Sequence, residues 1–279
     1  MSSAVERPCG YRHHLAVIRS IERMRGDLSG ALPLAELART ALFSPFHFHR
    51  VFRTVTGETP ARFVAALRMA QARRLLLHSR LTVGAISGRV GYTSVGSFTT
   101  QFTRLVGVPP EQFRRQVRTL LGWLIQPAPR PRAVDDDAGT ALTPVVRAGL
   151  SDPAGTVLVG VAPADVEAEP SRWTAVVGVG PVRLPAGLPP GRYRARMLLL
   201  KSRWTASAAL VDQVPESYLV GQAEFSVPDP PSEPHRVPVR LRPPQPTDPP
   251  VLSVEPVRLV AGLVGTPTPS RRAHVPVSA

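Results

Sequence analysis

Cysteine is nearly absent: the 279 residues contain one, Cys9. A single thiol can close neither an intrachain disulfide nor a multi-cysteine zinc site, which points to a reducing, cytoplasmic setting. Long apolar runs are missing as well. No stretch approaches the roughly 18 apolar residues of a membrane span, and the start of the chain has no signal-like apolar run. A soluble protein without a membrane partner is expected. Lysine is nearly absent too, since of 34 basic residues only Lys201 is not arginine. A GC-rich coding bias produces that as readily as anion recognition does, so it decides nothing.

Acidic residues are few, and unevenly so. Residues 1–125 hold 18 basic and 6 acidic side chains, whereas residues 126–279 hold 16 and 14. A polyanionic partner is therefore expected to meet the first half. Proline is scarce in that half, with 6 of 32 before residue 126. The shift marks a boundary. Residues 1–122 form one expected domain, 123–142 a linker, 143–265 a second domain and 266–279 a flexible tail. Within the linker, Asp135, Asp136 and Asp137 suit a solvated acidic loop better than a metal site. Adjacent carboxylates repel, and no His or Glu stands near them.

What is present is a repeat. Ser44, Phe48, Phe52, Gly57, Pro60 and Phe63 recur as Ser94, Phe98, Phe102, Gly107, Pro110 and Phe113, fifty positions on. Self-similarity of this kind means one structural unit used twice. Each copy opens with a hydroxyl residue fit to cap a helix, and each carries a glycine where that helix stops. The aromatics four apart share one helix face and read as core. Helices are expected over Tyr11–Met24, Leu34–Ala41, Pro45–Thr56, Pro60–Leu77, Val83–Val90, Val95–Val106 and Pro110–Leu120. The pairs flanking Leu42-Phe43 and Gly91-Tyr92-Thr93 make two helix-turn-helix units. The Pro60–Leu77 helix, roughly 27 Å long at about 1.5 Å per residue, joins them as a rigid connector.

The segments SPFHFHRVFRTVTGETPARF and RMAQARRLLLHSRLTVGAIS followed by GYTSVGSFTTQFTRLVGVPPEQFRR resemble the two motifs of the AraC/XylS family of bacterial transcription regulators. The resemblance covers about residues 11–118. It implies two helix-turn-helix units of one chain in adjacent major-groove segments of double-stranded DNA. It also implies base-reading positions at Phe46, His49 and Arg50 in the first unit and at Val95, Gly96, Thr99 and Thr100 in the second. Ser44, Arg53, Ser94, Thr103 and Arg104 are the expected backbone contacts, which position without specifying. Arg50 can hold a guanine edge bidentately, and His49 can donate to an acceptor. Phe46 suits either a thymine methyl or half-buried packing. The second reader departs from the family pattern: Thr100 stands where an arginine is common, and Gly96 has no side chain.

Other constellations fail. His47 and His49 lie on different sides of their helix, and His13 and His14 are adjacent, so neither pair makes a zinc site. Cys9 stands alone, without a Pro-Cys-His context, which argues against alkyl-transfer repair chemistry. No enzyme activity, cofactor or metal is expected.

The second half switches to short Val-, Leu- and Ala-rich runs between Pro and Gly. Strands are expected over Val157–Val161, Thr174–Val179, Arg192–Leu200, Tyr218–Val220, Ala223–Val227, Val237–Leu241 and Val257–Val260. In Arg192–Leu200 the apolar Tyr193, Ala195, Met197 and Leu199 alternate with arginines. The spacing suggests an all-β antiparallel sandwich, and the Pro-Gly-x-Tyr turn at 190–193 resembles transthyretin-like and carboxypeptidase-regulatory sandwiches. Trp173 and Trp204, beside Arg172 and Arg203, fit either a ligand pocket or a core.

The expectation is thus an α + β two-domain chain: a sequence-specific DNA-binding transcription regulator with a β-domain for ligand sensing or association. RNA polymerase and a small-molecule effector are the further partners that would suit it, and its oligomeric state is open. The alternative is a ligand- or protein-binding β-module whose helical half binds DNA weakly and without specificity.

Overall fold

The computed structural model describes residues 7–124, 141–147, 150–164, 172–177, 180–183, 188–228 and 236–265. The first half is helical: α1 (Arg7–Gly26), α2 (Leu34–Thr40), α3 (Pro45–Thr56), α4 (Pro60–His78), α5 (Val83–Arg89), α6 (Val95–Val106) and α7 (Pro110–Leu124). Four of these helices begin with a side-chain cap. Ser44, Thr59, Thr82 and Ser94 each accept from the backbone N–H three residues on, at 3.4, 3.4, 3.2 and 3.1 Å. Each such cap stabilises its helix by about 1 kcal/mol. Gly57 and Gly107 stop α3 and α6 in the left-handed region, at φ 76° and 96°.

The aromatic repeat becomes two matching ladders. Phe48–Phe52 and Phe52–Phe63 are 5.4 Å apart, and Phe98–Phe102 and Phe102–Phe113 are 5.7 Å apart. All six rings are fully buried. Each contact adds about 0.5–1.5 kcal/mol beyond its area. The ladders fix where α3 and α6 lie against the next helix. The fifty-residue period applies to α3 and α6, which begin at 45 and 95. It does not apply to α2 and α5, which begin at 34 and 83. The second turn is one residue longer, and its left-handed position is Gly91, whereas Leu42 takes that place in the first (φ 60°).

The second half contains β1 (Ala141–Val146), β2 (Thr156–Pro163), β3 (Arg172–Val177), β4 (Val182–Arg183), β5 (Gly191–Leu200), β6 (Tyr218–Val227) and β7 (Arg236–Leu241). Two helices interrupt it, α8 (Ala206–Leu210) and α9 (Glu255–Gly265). The sheets run β4-β1-β7 and β3-β2-β5-β6. Their facing sides share one apolar cluster, with Val157, Val159, Tyr193, Met197, Leu199 and Phe225 from one sheet and Leu142, Val237 and Val239 from the other. The period-two reading of β5 holds: Tyr193, Ala195, Met197 and Leu199 are buried there. The turn before β5 is pinned by the Tyr193 hydroxyl, which donates to Pro189 O at 2.7 Å.

Four expectations are corrected. The half is not all-β, because Val257–Val260 lies in α9. Val257, Val260 and Ala261 are buried at i, i+3 and i+4, a helical period that a short valine run conceals. The pairing is not wholly antiparallel, since β1 runs parallel to β7 from Ala141–Arg236 to Val146–Leu241. The expected strands at 218–220 and 223–227 are one, β6. Strand β1 also begins inside the expected linker, at Ala141. Asp135 to Asp137, residues 178–179 and the tail at 266–279 fall outside the described residues.

The four-stranded sheet is buried on its other face too. Leu158, Leu198, Leu200 and Val220 point away from the sheet pair and join a cluster with Phe98, Phe102, Phe113 and Val117 of the second helical unit and Val257 and Val260 of α9. This apolar cluster crosses the proline boundary. Arg73 of α4 sits within it at 1% exposure. Its guanidinium donates to Val251 O at 2.6 Å and Leu210 O at 2.8 Å, and lies 5.4 Å from the Phe113 ring centre. A buried charge is tolerable only when partnered in this way. No helix among the described residues is long and apolar enough to cross a membrane.

Candidate nucleic-acid interface

A reading helix needs a buried face to hold it and an exposed face to enter a groove. Both α3 and α6 have this division. In α3, Phe48, Val51, Phe52 and Thr56 are buried. Phe46 is 82% exposed and Arg50 is exposed, with His49 partly so. The half-buried packing reading of Phe46 therefore fails, and its ring stands in solvent near the helix start. In α6, Phe98, Phe102 and Val106 are buried. Val95 (47% exposed), Gly96 and Thr100 are exposed, and Thr99 is partly exposed.

The structure brings each set of expected base readers together on one helix face, one set per unit. Arg53 and Arg104 are exposed near the helix C-termini. The three hydroxyls assigned to backbone contact have local duties. Those of Ser44 and Ser94 cap their helices. Thr103 Oγ1 donates to Thr99 O at 2.8 Å, back into its own helix. The exposed N-terminal turns, which carry no acidic residue, can still offer backbone N–H groups to phosphate.

His47 lies on the other side of α3 from His49, as its helix position requires. Its ring meets Phe43 at 4.7 Å and His13 at 5.6 Å, in edge-on contacts that seat α1 against the first turn. Among the described residues, no group of three or more His, Cys, Asp or Glu could hold a metal. Trp173 packs against the apolar cluster rather than opening a pocket, and the indole N–H of Trp204 is buried.

Two arginines that the sequence reading passed over set how the units sit. Arg68 of α4 donates to Leu28 O at 3.1 Å and Gly30 O at 2.9 Å, and lies 5.7 Å from the Tyr92 ring centre. It ties the loop after α1 to the turn of the second unit. Arg73, one and a half turns on, ties the same helix to the second half of the chain. A signal for Arg73 was available. It falls in the stripe Met69, Ala72, Leu76, all fully buried, where a charge is out of place.

Residues 37–116 match a family described as a helix-turn-helix domain. An HTH-type transcriptional regulator of Mycobacterium tuberculosis is 42% identical over 91 residues, 33% of this chain and 35% of that protein. The RCS-specific HTH-type transcriptional activator RclR of Escherichia coli is 35% identical over 105 residues, 38% of this chain and 36% of that one. Among solved structures, the DNA-binding domain of AdpA, a global transcriptional factor in complex with a target DNA, is 29% identical. It covers 37% of this chain and 94% of that one, with a TM-score of 0.36. The chain spans about a third of the length of the curated relatives it matches. The helical half carries a helix-turn-helix domain of the AraC type, and its homologues are regulators of the AraC/XylS family.

Proposed function

We propose that this protein is a sequence-specific DNA-binding regulator of transcription, reading adjacent major-groove segments with α3 and α6. The observation that carries the reading is the repeated pair of capped, exposed helix faces, each set by its own aromatic ladder and joined through one connector, α4. Phe46, His49 and Arg50 are the first base-reading set, and Val95, Gly96, Thr99 and Thr100 the second. Arg53, Arg104 and the capped turns at Ser44 and Ser94 hold phosphates. Thr103 adds at most a weak contact, its hydroxyl being already engaged. In this reading residues 1–122 bind DNA, and residues 143–265 sense a ligand or mediate association, with RNA polymerase as a further partner.

Selection of bound genomic fragments by the purified full chain, under excess competitor DNA, tests the proposal. A shared motif among the recovered fragments is expected. Uniform recovery would favour a binding module with only non-specific DNA affinity.

A further inference from the structure

The two helical units are held unequally. The first has its own apolar core, including Val17, Ile21, Leu37, Phe48, Phe52 and Phe63. The second shares its core with the sheets and α9. Among the described residues, no apolar cluster joins the first unit to the sheets. Between them lies a cleft of about 980 Å³. That is at the upper end of the range for small-molecule sites, about 300–1,000 Å³.

The walls of the cleft come from both sides. His14, Thr54 to Glu58 and Arg62 belong to the first unit, and Gln101 and Arg104 to the end of α6. Arg194 and Arg196 of β5, Arg240 of β7 and Arg242 just after it form the opposite wall. Six arginines thus face three carboxylates, and each carboxylate already has an arginine. Glu58 holds Arg62 at 3.1 Å, and Glu224 holds Arg194 at 3.4 Å. Asp248 clasps Arg242 with two bonds of 2.7 Å. Six against three leaves the lining net positive. Arg196 is fixed in the wall by a 2.7 Å bond to Pro249 O. The arginines of β5 that the alternation placed on an open sheet face are therefore partly roofed by helices. Arg194 and Arg196 are only partly exposed. Partial removal from water strengthens what such guanidinium groups do to an anion.

We propose that this cleft binds a small organic polyanion through carboxylate or phosphate groups, and that the ligand clamps the first reading unit against the sheets. The inference rests on the regulator reading above and names the ligand class and the device. A ligand touching both walls spans a junction that no apolar cluster crosses among the described residues. It therefore restricts the first reader relative to the second, and so changes affinity for a site that needs both. By linkage, DNA changes the affinity for the ligand by the same factor.

Calorimetric titration of the full chain with citrate and with pyrophosphate, at constant ionic strength and without DNA, tests the site. Saturable binding of one or both is expected, citrate alone marking carboxylates and pyrophosphate alone marking phosphates. Arg194→Gln and Arg240→Gln should each weaken it by tenfold or more. Arg147→Gln, exposed and outside the cleft, should not. Saturating anion should then shift affinity for a selected DNA site by about fivefold or more. No saturable binding of either anion, or binding unchanged by both cleft substitutions, would overturn the proposal. So would a shallower salt dependence of DNA binding by these variants without anion, because the cleft would then hold DNA backbone. If the anion binds as expected but no DNA site can be selected, the cleft stands and the regulator reading falls.

Discussion

Arg50 and Thr100 occupy the same place in α3 and α6, fifty residues apart and both exposed. Their chemistry is unequal. A guanidinium can take both acceptors of a guanine edge, whereas a threonine offers one hydroxyl and a methyl. Arg50→Ala is expected to cost about 1–3 kcal/mol at one base position and to relax preference there. Thr100→Ala should cost much less. Competition binding against single-base variants of a selected site measures both, and equal losses would mean that the readers share the work evenly. Asp248 allows a prediction about pH. Burial raises its pKa, but the bonds from Arg242 and the Gln245 N–H outweigh burial and hold it below the ordinary carboxylate value. A depressed folded pKa contributes stability above the unfolded value, about 3.9, and loses it as pH falls through the folded one. Acidification below about pH 4 should therefore destabilise the wild type more than Asp248→Asn. Denaturant midpoints across that range provide the check.

At the scale of elements, the turn before α6 places a left-handed residue where the neighbouring atoms leave no room for a Cβ. Gly91 sits at φ 80°, and a Cβ there would lie 2.5 Å from Leu28 O and 2.6 Å from Arg68 Nη2. Those are the atoms through which the first unit meets the second. Gly91→Ala should destabilise by about 2 kcal/mol or more, from left-handed strain of roughly 1–2 kcal/mol plus the clash. Gly88→Ala, three residues earlier in α5 with nothing within 4 Å, should be neutral or stabilising by up to about 1 kcal/mol. Thermal unfolding of the pair measures the contrast. If Gly91→Ala proves as mild as Gly88→Ala, the joint between the units is looser than these contacts imply.

At the scale of the whole molecule, the helical and sheet halves are coupled through the second unit. Arg73 is the polar centre of that coupling. Arg73→Leu removes its N–H groups from the carbonyls of Val251 and Leu210. Val251 O keeps a 2.9 Å bond from Gln213 Nε2, so the cost falls mainly on Leu210 O, at about 1–3 kcal/mol for a buried acceptor. Two of the three tryptophans, Trp173 and Trp204, lie in the second half, so their fluorescence reports mainly on it. In the wild type, the fluorescence transition and the loss of helical circular dichroism should coincide as denaturant rises. In Arg73→Leu the fluorescence transition should come first. Coincident transitions in the variant would show that apolar contact alone couples the halves.

The sequence by itself determined the repeat, the caps, the two aromatic ladders and the exposed faces of α3 and α6. Their causes lie within a few residues of one another: a hydroxyl three positions before an N–H, rings four apart, a glycine after the last turn. The expected readers accordingly fall on one exposed face in each unit. Only tertiary structure decided which side of α4 meets the second half, because Arg73 and Val251 are 178 residues apart and no local pattern connects them. It also decided that Val257–Val260 coils, since a short valine run suits strand or helix until a neighbouring face selects the period. The parallel β1–β7 pairing and the basic cleft arose in the same way, from surfaces that meet only once the chain has folded.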